Sequence, residues 1–228
     1  MPKVAVLHTS FVFVTVEPVI TDLINELIPG VEILHFVDSD VLATVVREQG
    51  ISARSEERMV LLARAAEAAG ADVIFSACSS LGPTLDAAGR AVGVPVVKID
   101  EAMAIDAARF DRIGVLATVP TTLGPTSELI AGKAAAAGRD PRVVQRLCPG
   151  AFDVLMAGDR ERHDDMVAMQ ASSLAAEVDV IVLAQASMQR LVPRLERETG
   201  VRVLSSPRAG VEHLAHVVRA QEAAGLGR

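Results

Sequence analysis

Asp72-Val73-Ile74-Phe75-Ser76-Ala77-Cys78-Ser79-Ser80 aligns without a gap on Asp179-Val180-Ile181-Val182-Leu183-Ala184-Gln185-Ala186-Ser187, 107 positions further along the chain. The same offset carries Gly93-Val94-Pro95-Val96-Val97 onto Gly200-Val201-Arg202-Val203-Leu204. At nearly the same spacing, Val4-Ala5-Val6-Leu7-His8-Thr9 resembles Ile113-Gly114-Val115-Leu116-Ala117-Thr118. The chain therefore reads as two related halves, each bringing strand ends to a shared region. The equivalence breaks at one position, where the first half carries Cys78 and the second Gln185. A thiol can act as a nucleophile or carry a proton, whereas a carboxamide can only hydrogen-bond. A site built from both halves would be lopsided in its acid–base equipment.

Around these stretches, short apolar runs alternate with helical periodicity. Val4–His8, Val31–Val37, Val73–Ala77 and Val94–Ile99 read as buried strands in the first half; Ile113–Thr118, Val143–Leu147, Val180–Ala184 and Val201–Leu204 do so in the second. Helices are expected over Pro18–Leu27, Ser55–Ala69, Pro83–Val92, Pro125–Ala137, His163–Glu177 and Val211–Ala224, with Asp38-Ser39-Asp40 as a loop and cap. Continuous apolar strands alternating with helices predict an α/β fold with parallel sheets covered on both faces. Ligands of such folds bind beyond the carboxyl ends of the strands.

Composition narrows the partners. The chain has 228 residues, enough for two small domains with proper cores, and the repeat favours two. A net charge of −7 and an aromatic content of 3%, without Trp or Tyr, argue against nucleic acid, which wants a basic stripe and stacking platforms. No apolar run approaches a membrane span, and Met1-Pro2-Lys3 runs into a strand without a signal-peptide pattern. The expected location is cytoplasmic. The two cysteines, Cys78 and Cys148, do not form a disulfide framework.

The strand ends collect small hydroxyls: Thr9, Ser10, Ser79, Ser80, Thr118, Thr121, Thr122, Ser187, Ser205 and Ser206, with Asp38, Asp100, Glu101, Cys148 and Arg208 nearby. Hydroxyls and backbone N–H groups suit a carboxylate ligand. Leu81-Gly82-Pro83-Thr84 and Leu123-Gly124-Pro125-Thr126 each place Pro where a helix would begin, and a helix N-terminus both attracts anions and favours a nearby thiolate. Cys78 is either a small buried hydrophobe or a catalytic thiol. Its strand-end position, the Ser79-Ser80 neighbours and the following helix start favour catalysis. Cys148 reads as a structural thiol. His8 closes the first strand, as a core histidine or a general base. His163 falls in the charged run Asp159–Asp165 and is expected at the surface; His213 and His216 read as a solvated helix face. GxGxxG, Walker A, HExxH and GxSxG motifs are absent, so metal, nucleotide and triad chemistries have no positive support.

The duplicated halves, the Ala77-Cys78-Ser79-Ser80 strand end and Ile113–Thr118 together resemble the aspartate/glutamate/hydantoin racemase superfamily over about Val4 to His213. The resemblance implies two pseudo-symmetric lobes, 1–99 plus 208–228 and 100–207, with the active site in the cleft between them and no cofactor. It implies that Ala102–Phe110 goes with the second lobe and the C-terminal helix with the first. In that family a cysteine from each half flanks the substrate Cα, one thiolate removing a proton and the opposing thiol delivering one. Cys78 falls on the first of these cysteines and Gln185 replaces the second. Ser10, Ser79, Ser80, Thr118, Thr121, Thr122, Ala186 and Ser187 fall on substrate-binding positions.

The function expected from the resemblance is that of a cofactor-independent racemase or isomerase acting on a small carboxylate (an amino acid, hydantoin or related acid) through Cys78. Because Gln185 cannot carry a proton, the other readings are a one-cysteine decarboxylase, lyase or cis–trans isomerase and a non-catalytic carboxylate-binding protein. A homo-oligomer is compatible with the sequence, dimers being the commonest closed assembly.

Overall fold

The computed structural model describes residues 1–11, 14–15 and 18–225. The chain forms two compact units, Met1–Ile99 with Pro207–Arg228, and Asp100–Ser206. The first contains β1 (Lys3–His8), α1 (Val19–Leu27), β2 (Glu32–Val37), α2 (Val41–Arg47), α3 (Ala53–Ala68), β3 (Val73–Ser76), α4 (Thr84–Ala91) and β4 (Val96–Lys98). The second contains α5 (Glu101–Ala107), β5 (Arg112–Ala117), α6 (Pro120–Ala136), β6 (Arg142–Leu147), α7 (Ala151–Met156), α8 (Arg160–Ala175), β7 (Val180–Leu183), α9 (Val192–Thr199) and β8 (Arg202–Ser205). The last helix, α10 (Ser206–Ala223), lies almost wholly in the first unit.

The expected α/β class is what forms. Each unit holds one four-stranded parallel sheet, ordered β2-β1-β3-β4 and β6-β5-β7-β8, so the sequence repeat is a repeat of topology. Strand residues alternate between two cores, as the two-residue period of a strand requires. In the first unit Val4, Val6, Val73 and Phe75 pack with α1 and α10 through Ile20, Ile24, Val211 and Leu214. Ala5, Leu7 and Ile74 pack on the other face with Val41, Met59, Ala63 and Leu85. In the second unit Leu116, Ile181 and Leu183 meet Val167, Ala171 and Leu174 of α8, while Ile113, Val115 and Val182 meet Met103 of α5 and Ile130 of α6. Both faces are covered, which is why these strands read as unbroken apolar runs.

The repeat also explains its leading aspartates. Asp72 Oδ2 accepts from the Lys3 backbone N–H at 2.8 Å, and Asp179 Oδ2 accepts from the Arg112 N–H at 3.0 Å. In return, the N–H of each aspartate donates to the carbonyl of the same partner residue at 2.8 Å. Each carboxylate thereby satisfies the entry of one central strand from the start of its neighbour.

Among the described residues, α2, α5, α7 and α9 form in addition to the helices expected from periodicity. α2 forms from a β-branched stretch because Asp38 Oδ1 accepts from the N–H groups of Asp40 and Val41, at 3.2 and 3.1 Å, and because Val41 and Val45 are buried on the sheet. α7 and α9 are short and anchor chiefly through Ala151 and Leu195. α10 begins at Ser206, five residues before the expected Val211. α6 begins at Pro120, not Pro125, because Val119 is extended before a proline and Pro120 takes the first helical position. Pro125 therefore lies inside the helix, and the Leu123–Thr126 stretch is not a helix start.

Candidate functional site

Cys78 and Gln185 occupy the same place in their units. The N–H of Ala77 bonds the Leu7 carbonyl and that of Ala184 bonds the Leu116 carbonyl, each at 3.0 Å, which carries the ladder one step past the strands. Continuing this register sets Cys78 beside Thr9 and Gln185 beside Thr118. Both residues are extended, at φ −134°, ψ 111° for Cys78 and φ −141°, ψ 139° for Gln185, and both open a 3₁₀ turn, Ser79–Leu81 and Ala186–Leu191.

The first half-site is thiol and hydroxyl. Cys78 and Ser79 are half-buried, Ser80 is buried, and Ser10 is half-buried just past β1. The Ser79 carbonyl accepts from the Gly82 N–H at 3.1 Å, and Thr84 Oγ1 donates to the Leu81 carbonyl at 2.7 Å, closing the turn before α4. Cys78 also packs against the core that contains Leu7 and Ile74.

The second half-site is an oxygen held by three donors. Gln185 Oε1 accepts from the Thr118 N–H at 2.6 Å, the Thr118 hydroxyl at 3.0 Å and the Val119 N–H at 3.2 Å. Backbone N–H groups only donate, so the carboxamide oxygen must face them and the NH₂ must face away. That NH₂ has no hydrogen-bond partner among the described residues. Thr122 Oγ1 donates to the Val119 carbonyl at 2.9 Å, while Thr121 Oγ1 is buried without a partner. Ala186 and Ser187 are half-buried in the turn. The Val119 donor escaped the sequence reading; its signal was Pro120, which keeps the preceding residue extended and its N–H out of the helix.

Other strand-end groups are engaged elsewhere. Asp38 holds Arg58, whose Nε lies 2.7 Å away, and Glu101 pairs with Lys133. Arg208 pairs with Glu26 at 3.0 Å on the flank of α10. Burial pushes the Cys148 thiol up, which keeps it protonated. His163 corrects the surface expectation: it is fully buried, with Nδ1 2.8 Å from Asp164 Oδ1. Among the described residues no group of three His, Cys, Asp or Glu is placed to hold a metal. Nor is any described helix long and apolar enough to cross a membrane. A cavity of about 220 Å³, lined by Pro2, Asp72, Val73, Val218 and Glu222 among others, lies at the amino ends of β1 and β3, away from Cys78.

His8 is a core histidine. It is 1% exposed, its Nε2 lies 3.0 Å from His35 Nδ1, and burial, then the charge of His35, lowers its pKa to about 4. It is neutral and a weak base at neutral pH. Because the unfolded chain takes this proton near pH 6.5 and the folded chain only near 4, stability present above pH 6.5 falls as pH drops to about 4 and then levels. The loss is about 3 kcal/mol at one pKa unit per 1.36 kcal/mol. Denaturant midpoints followed from pH 7 to 4 should fall steeply for the native chain and less for His8→Asn; coincident slopes would exclude His8 as the source.

The family model for Asp/Glu/hydantoin racemases matches residues 15–214. A glutamate racemase isoform from Bacillus anthracis superposes with a TM-score of 0.71 at 18% identity, covering 96% of this chain and 82% of that one. Allantoin racemase from Klebsiella pneumoniae gives 0.66 at 21% identity, covering 100% and 90%. A glycine-to-cysteine mutant of arylmalonate decarboxylase in a sulfate-associated form gives 0.61 at 18% identity, covering 96% and 94%. At these identities the likeness is one of fold. No curated protein matches the sequence significantly.

Proposed function

Because the chain belongs to the Asp/Glu/hydantoin racemase family, we propose that it is a cofactor-independent enzyme acting on a small carboxylate, an amino acid, hydantoin or related acid, through the Cys78 thiol. The observation that carries this reading is the equivalence of Cys78 and Gln185, one able to move a proton and the other holding only N–H donors outward. Cys78 as thiolate takes the proton from the substrate Cα, and the electron pair of that C–H bond moves into the carboxylate as an enediolate. The Gln185 N–H pair is assigned to stabilising that negative charge. The thiol then returns a proton to carbon. Ser10, Ser79, Ser80, Thr121 and the Ala186-Ser187 turn are assigned to substrate binding. Thr118 and Thr122 contribute by holding Gln185 and the start of α6.

A second reading, a one-cysteine decarboxylase, is favoured by the same glutamine. Loss of CO₂ from a malonate-type acid leaves a carbanion that needs one proton donor, and Gln185 has no proton to give. NMR in D₂O with aspartate, glutamate, hydantoins, hydroxy acids and substituted malonates separates the two. Exchange at Cα supports the isomerase reading, with inversion requiring a second proton carrier, and release of CO₂ supports the decarboxylase. Silence across the panel, with tight binding, overturns both in favour of a carboxylate-binding protein.

Gln185→Glu tests the donor role. It keeps an oxygen for Thr118 and Val119 but removes both N–H groups, so kcat should fall about 10²–10³-fold, the range for loss of one anion-stabilising donor. An unchanged kcat would remove Gln185 from the chemistry.

A further inference from the structure

The 3₁₀ turn behind Gln185 spans six residues, against three behind Cys78, and it is fastened by charged groups. Arg190 Nη1 donates to the Ser187 carbonyl, and Nη2 donates to Asp164 Oδ1 of α8 at 2.5 Å. Asp164 Oδ1 also lies 2.8 Å from His163 Nδ1, and since a carboxylate only accepts, Nδ1 carries the proton. Arg190 aligns with Pro83 in the first half, a residue with no side-chain donor. The half that carries Gln185 in place of a cysteine thus holds an ionic clasp that its counterpart cannot form at that position.

As a stabilising device this cluster is poorly built. His163 is fully buried, and both His163 Nε2 and Arg190 Nε are buried without hydrogen-bond partners. A buried polar cluster left partly unsatisfied stabilises less than apolar packing of the same volume. What it does supply is direction. It ties the carbonyl two residues past Gln185 to α8, while Thr118 and Val119 hold the carboxamide oxygen from the other side.

We propose that Arg190, held by Asp164 with His163 behind it, is a positioning residue that orients the Gln185 N–H pair. The role rests on the reading of Gln185 as the donor to negative charge. Its test is the side-chain amide spectrum of the full ¹⁵N-labelled chain, in which the Gln185 pair is the one missing from Gln185→Glu. Arg190→Met and Asp164→Asn should each move that pair and leave in place the pair of Gln145, which bonds Ser127 at 3.0 Å in the same unit. Arg190→Lys, which keeps the charge but not the fork, should move it less. With an active substrate, Arg190→Met should lower kcat by about 10²-fold, the scale of a 1 Å misplacement, with KM little changed.

A Gln185 pair that stays put in the variants overturns the proposal, as does one that moves only together with that of Gln145. Where Arg190→Met does not fold, Asp164→Asn and Arg190→Lys decide by the same signals. If Cys78→Ala keeps full turnover while the Gln185 pair moves, the thiol reading fails and the positioning stands. If Cys78→Ala is dead and the pair is unmoved, the reverse holds.

Discussion

Cys78→Ala should remove turnover by about 10²–10⁴-fold, the contribution of a positioned proton carrier. The expectation rests on where the thiol sits. Cys78 lies one residue beyond the last rung of β3, half-buried, at the head of a 3₁₀ turn that runs into α4. The other candidates for the proton are weaker by their surroundings. Cys148 is 2% exposed and its thiol is pushed up by burial; His8 is neutral with a pKa lowered to about 4. Cys148→Ala therefore serves as the control and should leave turnover within about two-fold, since thiolate character governs reactivity. Iodoacetamide labelling gives a second readout independent of substrate identity. Cys78 should alkylate faster than free cysteine and be protected by the substrate, whereas Cys148 should be inert. If Cys78 labels no faster than free cysteine and the panel is silent, the thiolate reading of Cys78 falls.

Gly210→Ala should destabilise the first unit by roughly 3 kcal/mol or more, the upper range for overpacking a core. On helix propensity alone this substitution in α10 would stabilise by up to about 1 kcal/mol. Packing decides against it. A Cβ on Gly210 would clash with the Ile99 carbonyl oxygen and lie 2.9 Å from the carbonyl carbon. Those are backbone atoms, just past β4, and they cannot rotate aside. Relief would require α10 to lift from the sheet, exposing Val211, Leu214 and Val218, which complete the core around Val6 and Phe75. Gly132→Ala in α6 is the internal control, because nothing lies within 4 Å of its added Cβ, and it should stabilise by up to about 1 kcal/mol. Urea unfolding of both variants checks the pair. If Gly210→Ala unfolds at the native midpoint or above it, the close approach of α10 to Ile99 does not limit the fold.

Much of this architecture was legible because it is written in local periodicity. The apolar runs at Val4–His8, Val73–Ala77, Ile113–Thr118 and Val180–Ala184 marked the central strands, and their gap-free repeat marked the duplication that the two sheet orders share. The exchange of Cys78 for Gln185 is likewise a fact of sequence. What the chain alone did not determine depended on partners distant along it. The chain marked Asp38 as part of a cap but not the helix α2 behind it, which depends on burial of Val41 and Val45 against the sheet. Two prolines compete to open α6, and only the extended Val119 with its N–H on Gln185 selects Pro120. His163 sits in a run of charges that reads as surface, yet packing of α8 on β5 and β7 removes it from water, and Asp164 and Arg190 gather beside it. Side-chain direction follows the same rule. That residue 185 carries an amide instead of a thiol is plain in the chain; which end of that amide is held depends on the fold, because the three donors that hold its oxygen lie on a neighbouring strand end 66 and 67 residues away.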